Sequence, residues 1–113
     1  MSLTFDDLVC IASDLPGIEV GTSYGTPALR VGKKLICRMK EDGETMVLKP
    51  LEDIELHFLM DTQPDVFYQT PHYQGWPTIL IHLSRIDEAQ VRELIVQCWE
   101  RLATKKLLAA RAS

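Results

Sequence analysis

Arg30, Arg38 and Lys49 share one set of alternate positions with Ala28, Ile36 and Val47 in the segment before Pro50. That alternation puts side chains on one face of a β-sheet. Guanidinium and ammonium groups so arranged can contact phosphates, and Ile36 and Val47 between them can pack on a base or on a partner's side chain. Lys33, Lys34 and Lys40 lie near the edges of the same face. A solvated face of an antiparallel sheet shows the same alternation, so the pattern has a structural reading beside the functional one. A second cluster is His72, Tyr73 and Trp76, set around Gly75 between Pro71 and Pro77. These rings could wall a ligand, with Ser23 and Tyr24 beside them if the two segments meet in space. Equally, proline and glycine could build a rigid corner that closes one end of the core.

Catalytic patterns find little support. His57, His72 and His82 do not have the spacing of a metal-binding set. Ser23 lacks the G-x-S-x-G setting of a nucleophile elbow. Gly21, Gly25 and Gly32 fit neither common phosphate-binding loop, and no two carboxylates are paired as acid and base. The chain therefore reads as a non-enzymatic binding module with no implied cofactor or metal.

Charge is distributed unevenly around a net −4. Residues 1–23 carry −4 and residues 50–83 carry −5, whereas residues 24–49 hold six basic groups against three acids. The overall acidity argues against a general nucleic-acid-binding surface, which usually has a basic footprint. The local excess coincides with the Arg30, Arg38 and Lys49 face. A length of 113 residues, 46% of them hydrophobic and 25% charged, suits one globular core. No apolar run approaches the roughly 20 residues that span a bilayer. The N-terminal MSLTFDDLVC has two aspartates and no basic residue, so no signal peptide and no membrane partner are expected, and the expected location is the cytoplasm. Cys10, Cys37 and Cys98 are odd in number and widely spaced, which suits packing thiols better than a disulfide or metal site.

The elements that must position these residues have clear local signals. Thr4, followed by Asp6 and Asp7, starts a helix over 4–13, with Leu3 placed to staple on Leu8, and Pro16-Gly17 ends it. A short strand over 18–20 follows. Residues 27–49 read as two successive hairpins. A three-residue loop, Gly32-Lys33-Lys34, sets Val31 opposite Leu35 and Leu29 opposite Cys37, keeping one face apolar; a two-residue loop would mix the faces. Asp42-Gly43 marks a four-residue loop over 41–44 that pairs Met39 with Met46 and Cys37 with Leu48. Both loops lead to the same face assignment. Pro50 fits the first turn of a helix running over 51–60. Strands are expected over 66–69 and 78–83, the latter with Ile79, Ile81 and Leu83 on one face. Asp87, with Gln90 three residues on, caps a helix whose stripe is Val91, Leu94, Ile95, Cys98 and Leu102 with Trp99 at its edge. The tail over 104–113 reads as a frayed extension of that helix. Clustered antiparallel strands with helices between and after them predict an α+β fold: an antiparallel sheet built from consecutive hairpins, packed against N-terminal and C-terminal helices.

Two stretches carry a family resemblance. The first is Thr22-Ser23-Tyr24-Gly25-Thr26-Pro27-Ala28-Leu29-Arg30-Val31, followed by a Gly-Lys turn. The second is Pro64-Asp65-Val66-Phe67, then Thr70-Pro71-His72-Tyr73-Gln74-Gly75-Trp76-Pro77, and later a helix bearing Trp99. Together they resemble the YjbR family, also called MmcQ/YjbR, from the first helix to about Lys106. Leu29 departs mildly from the pattern, where an aromatic is more usual. The resemblance implies a single YjbR-like domain over 1–113, with a shape related to secretion chaperones and frataxin. It also implies the DNA-binding label that members often carry, a label resting on the shape of the sheet rather than on a defined activity.

Three functional expectations follow. In the first, the basic face of Arg30, Arg38 and Lys49 engages DNA or another anionic partner. In the second, the chain is an adaptor or chaperone-like protein that binds another protein through the same sheet or through the aromatic loop. In the third, a small-ligand pocket lies between Tyr24 and the segment His72, Tyr73 and Trp76.

Overall fold

The computed structural model describes residues 2–112. Thr4 caps α1 (Phe5–Ala12) as expected: its hydroxyl accepts from the Asp7 N–H, and the Asp7 carboxylate accepts from the Thr4 N–H at 2.7 Å. Two orphan donors are satisfied reciprocally, which defines a capping box. Next come β1 (Ile18–Ser23), β2 (Thr26–Val31), β3 (Lys34–Met39) and β4 (Thr45–Leu48). Then α2 (Asp53–Thr62), β5 (Phe67–Tyr68), a 3₁₀ turn at Pro71–Tyr73 and β6 (Ile79–His82) lead to α3 (Glu88–Leu102) and α4 (Lys105–Ala112). The six strands form one antiparallel sheet in the order β1-β2-β3-β4-β6-β5. The α+β fold of consecutive hairpins packed against N-terminal and C-terminal helices is thus the observed one.

The helices cover one face of the sheet. Leu8 and Ile11 from α1, Leu56 and Leu59 from α2, and Val91, Leu94, Ile95 and Cys98 from α3 join Leu29, Cys37, Met46, Leu48, Ile79 and Ile81 in one buried cluster. Leu29, the departure from the family pattern, is fully buried in that cluster. Asp87 caps α3 by accepting from the Gln90 N–H at 2.7 Å. The hairpin between β3 and β4 has the expected register, with Met39 opposite Met46 and Cys37 opposite Leu48.

The hairpin between β2 and β3 differs from expectation. Its turn is the two-residue Gly32-Lys33, with Val31 opposite Lys34 and Arg30 opposite Leu35. Gly32, at φ 63°, supplies the left-handed residue that tight hairpin turns favour. The register then slips by one residue between Leu29 and Arg30, so Leu29 still faces Cys37. One extra residue on β3 opposes the partner strand, which is a β-bulge. The bulge reconciles the tighter turn with an apolar core face, but it exchanges two side chains. Ile36, expected between the cations, joins the core, and Leu35 turns to the opposite face.

Three smaller corrections concern element ends. β1 extends to Ser23 because all six of its residues pair with β2. Pro50 precedes α2 rather than opening it; Glu52 is the N-cap, and the Pro50 carbonyl accepts from Arg101 instead. The C-terminal segment is a separate helix, since Ala103 is extended and the Leu107 N–H bonds the Thr104 hydroxyl at 3.3 Å. Ser113, the last residue of the expected extension, lies outside the described residues.

Candidate functional site

The face turned away from the helices is not a uniformly solvated surface. Residues 69–77 fold back over one end of it. Gln69 pins the segment by donating to the Thr78 carbonyl at 2.7 Å, and the Trp76 N–H bonds the Tyr73 carbonyl at 3.0 Å. Between this segment and the strands lies a cleft of about 530 Å³. Tyr24, Leu35, Arg38, Val47 and Lys49 line it from the sheet side, and His72, Tyr73, Trp76 and Thr78 from the loop side, with Glu41 at the β3–β4 turn.

Arg38 stands at its centre. One guanidinium nitrogen, Nη2, donates to the Tyr73 hydroxyl at 2.9 Å, and Nη1 donates to the Met39 carbonyl at 3.3 Å. The guanidinium lies over the Tyr24 ring, 5.4 Å from its centroid, a cation–π arrangement. Residues 24, 38 and 73, far apart in the chain, therefore form one assembly. Neither Arg38 nor Lys49 has a carboxylate within ion-pair distance among the described residues. The His72 ring meets the Tyr73 ring edge-on at 4.8 Å and so braces the loop side.

Tyr24 reaches this position through an uncommon backbone. The β1–β2 hairpin turns on Tyr24-Gly25, with Ser23 opposite Thr26, and both central residues have positive φ, 53° and 78°. A two-residue turn of this kind requires that geometry, which glycine adopts freely and tyrosine does not. Tyr24 is 86% exposed, and Trp76 is 64% exposed on its pinned loop.

Of the seven residues singled out from the sequence, six meet here: Tyr24, Arg38, Lys49, His72, Tyr73 and Trp76. Arg30 does not. Its guanidinium lies against Gly21 of the edge strand β1, with Nη1 3.6 Å from where a Cβ at Gly21 would sit. The basic face and the aromatic loop, read from the sequence as two candidates, are two sides of one cleft. Leu35, Glu41 and Thr78 were not anticipated as lining residues. A signal for Leu35 existed in Gly32, whose preference for a two-residue turn implies the bulge. The other two histidines lie elsewhere: His57 is 3.4 Å from Asp53 within α2, and His82 stacks on Tyr68 at 4.6 Å. Among the described residues no helix is long and apolar enough to cross a membrane.

An antiparallel sheet with helices on one face and a loop-covered cleft on the other defines a small α+β domain. The sequence profile of the YjbR family matches residues 13–101, and the chain belongs to that family. Three relatives are described only as uncharacterised: Mb2600 of Mycobacterium bovis, and MT2646 and Rv2570 of two Mycobacterium tuberculosis strains. Each is 29% identical over 124 residues, spanning 95% of this chain and 94% of its own length. The crystal structure of Deinococcus radiodurans protein DR2400, described with the domain DUF419, has the same fold. Its TM-score is 0.77 at 16% identity, covering 96% of this chain and 88% of the other.

Proposed function

We propose that the protein is a non-enzymatic binding module whose cleft and surrounding sheet face engage an anionic partner, with nucleic acid the favoured class. The observation that carries this reading is Arg38. Its guanidinium is oriented by the Tyr73 hydroxyl and the Tyr24 ring, yet among the described residues no carboxylate lies within ion-pair distance of it or of Lys49, a second cation on the same lining. A structural arginine ordinarily finds an anionic partner; one held in place without it offers its charge to a ligand. Amide chemical shifts of the labelled protein, followed during titration with random-sequence DNA at low and at physiological salt, test this. Shifts at residues 35–49 and 72–76 that fade steeply with salt are expected, because counterion release drives phosphate contact. No shifts at either salt would overturn the reading.

A second reading is a protein-binding adaptor. It is favoured by the exposed rings of Tyr24 and Trp76, and by Val20, 59% exposed on edge strand β1. Its mark would be an affinity that changes little with salt, since apolar burial would supply most of it.

A further inference from the structure

We propose that the cleft takes one unpaired nucleotide, with the base against the exposed aromatic rings and the phosphate at Arg38 and Lys49. This rests on the anion-binding reading above and narrows it to a ligand class.

The geometry of Tyr24 is the first support. A bulky residue at φ 53° is a backbone outlier, here imposed by the two-residue turn, and such outliers cluster at ligand clamps and active sites. Here the unusual turn stations a solvent-exposed ring beside the guanidinium at the cleft mouth. Trp76 is the second support. Its loop is fixed by the Gln69 bond to Thr78 and by the bonds from the Trp76 and Thr78 N–H groups, at 3.0 and 2.7 Å, so the exposed indole is carried on an anchored backbone. Exposed rings on rigid backbone are the stacking platforms on which unpaired bases lie, whatever the base.

Size and charge agree. A volume of about 530 Å³ falls in the usual range for small-molecule sites and far exceeds what a lone phosphate fills. Arg38, Lys49 and Glu41 leave the lining with one net positive charge, which matches the single negative charge of a phosphodiester. Two of the five guanidinium N–H groups of Arg38 are engaged, leaving three to donate. A base inside a duplex is stacked on both faces and cannot use the rings. Moreover, Arg30 lies outside the cleft, so the two cations here suit one phosphate better than a row of them.

The ligand chemistry has two sources, a free nucleotide and an unpaired position in a strand, and one titration separates them. Trp99 is buried and bonded to Pro16, so quenching of the exposed tryptophan reports Trp76. The protein is titrated with a nucleoside monophosphate, an oligothymidylate of about six nucleotides, a blunt GC-rich duplex long enough to stay fully paired, and ribose 5-phosphate. The proposal expects quenching by the first two, with the single strand binding more tightly than the duplex and no quenching by ribose 5-phosphate. Tighter binding of the oligonucleotide than of the monomer identifies a strand as the source, and equal binding identifies the free nucleotide. Tyr24→Gly is expected to raise Kd on the order of tenfold while leaving Tm unchanged or higher, because glycine accepts the positive φ. Lys49→Gln should weaken binding and flatten its salt dependence. If the duplex and ribose 5-phosphate bind as well as the single strand, and Tyr24→Gly is neutral, the nucleotide proposal fails and the anion-binding reading stands. If none of the four ligands moves either the fluorescence or the amide shifts, both fail.

Discussion

Tyr24 accepts a left-handed backbone that disfavours an L side chain by about 1–2 kcal/mol, and its ring gains little burial in return. The buried thiols present the opposite case, residues whose surroundings explain them fully. Burial, aided by the nearby Cys98, pushes the Cys37 thiol up to about 12, although a backbone hydrogen bond from Leu29 opposes the shift. Burial likewise pushes Cys98 up to about 12, outweighing the Arg101 charge. Both act as small packing groups, while Cys10 is exposed. Thiols raised above their ordinary value of 9.0 stabilise the fold fully below that pH, and the contribution is lost as pH rises toward 12. Alkylation under native conditions followed by mass spectrometry should therefore show one modified cysteine, Cys10, and three after denaturation. Native labelling of a second cysteine would show that the core around β3 and α3 opens readily.

At the scale of elements, the turn between β3 and β4 shows how one side chain sets a register. Asp42 Oδ1 accepts from the Glu44 and Thr45 N–H groups at 2.8 and 2.9 Å, and Oδ2 accepts from the Thr45 hydroxyl at 2.8 Å. Slight burial works against the charge, but these bonds and the nearby Lys40 hold the Asp42 carboxyl below its ordinary value of 3.8. A carboxyl depressed in the folded state stabilises the fold above the unfolded value, and that contribution is lost as pH falls through the folded one. Asp42→Asn removes the charge. Its Tm should lie below that of the parent at about pH 7, and the gap should close as pH falls to about 2. A gap that persists unchanged in acid would mean that the carboxylate charge contributes nothing. The neighbouring hairpin behaves differently, because its register depends on a bulge that only the competition between turn and core explains. Sequence alternation placed Ile36 among the cations; the bulge placed Leu35 there instead.

At the scale of the molecule, one long-range hydrogen bond adds to the apolar packing of the N-terminal segment on α3. Trp99 Nε1 donates to the Pro16 carbonyl at 2.8 Å across a separation of 83 residues, and Arg111 of α4 lies 5.6 Å from the Trp99 ring centroid. Trp99→Phe keeps an aromatic ring in the core but leaves the Pro16 carbonyl without that donor. An unmade bond of this kind costs about 1–3 kcal/mol, so the urea midpoint should fall with an unchanged slope. An unchanged midpoint would show that water replaces the indole at Pro16. On the opposite side of the sheet, closure of residues 69–77 over Arg38 makes a cleft from what would otherwise be an open face.

Much of this architecture was written in short stretches of chain. The Thr4 and Asp87 caps, the Asp42-Gly43 turn with its register, and the buried stripe of α3 each depend on residues within about one helical turn or one hairpin, where the interacting groups are already neighbours. The alternation before Pro50 likewise identified Arg38 and Lys49 as off-core positions, and the family resemblance pointed to the fold. Other features belong to the tertiary structure alone. The bulge at Leu29 and Arg30, the meeting of Tyr24 with His72, Tyr73 and Trp76, and the departure of Arg30 from the site depend on strand order and on the fold-back of residues 69–77. No local pattern specifies those distances. The Arg38–Tyr73 bond joins side chains 35 residues apart, brought together by packing that minimises the energy of the whole chain rather than of either segment.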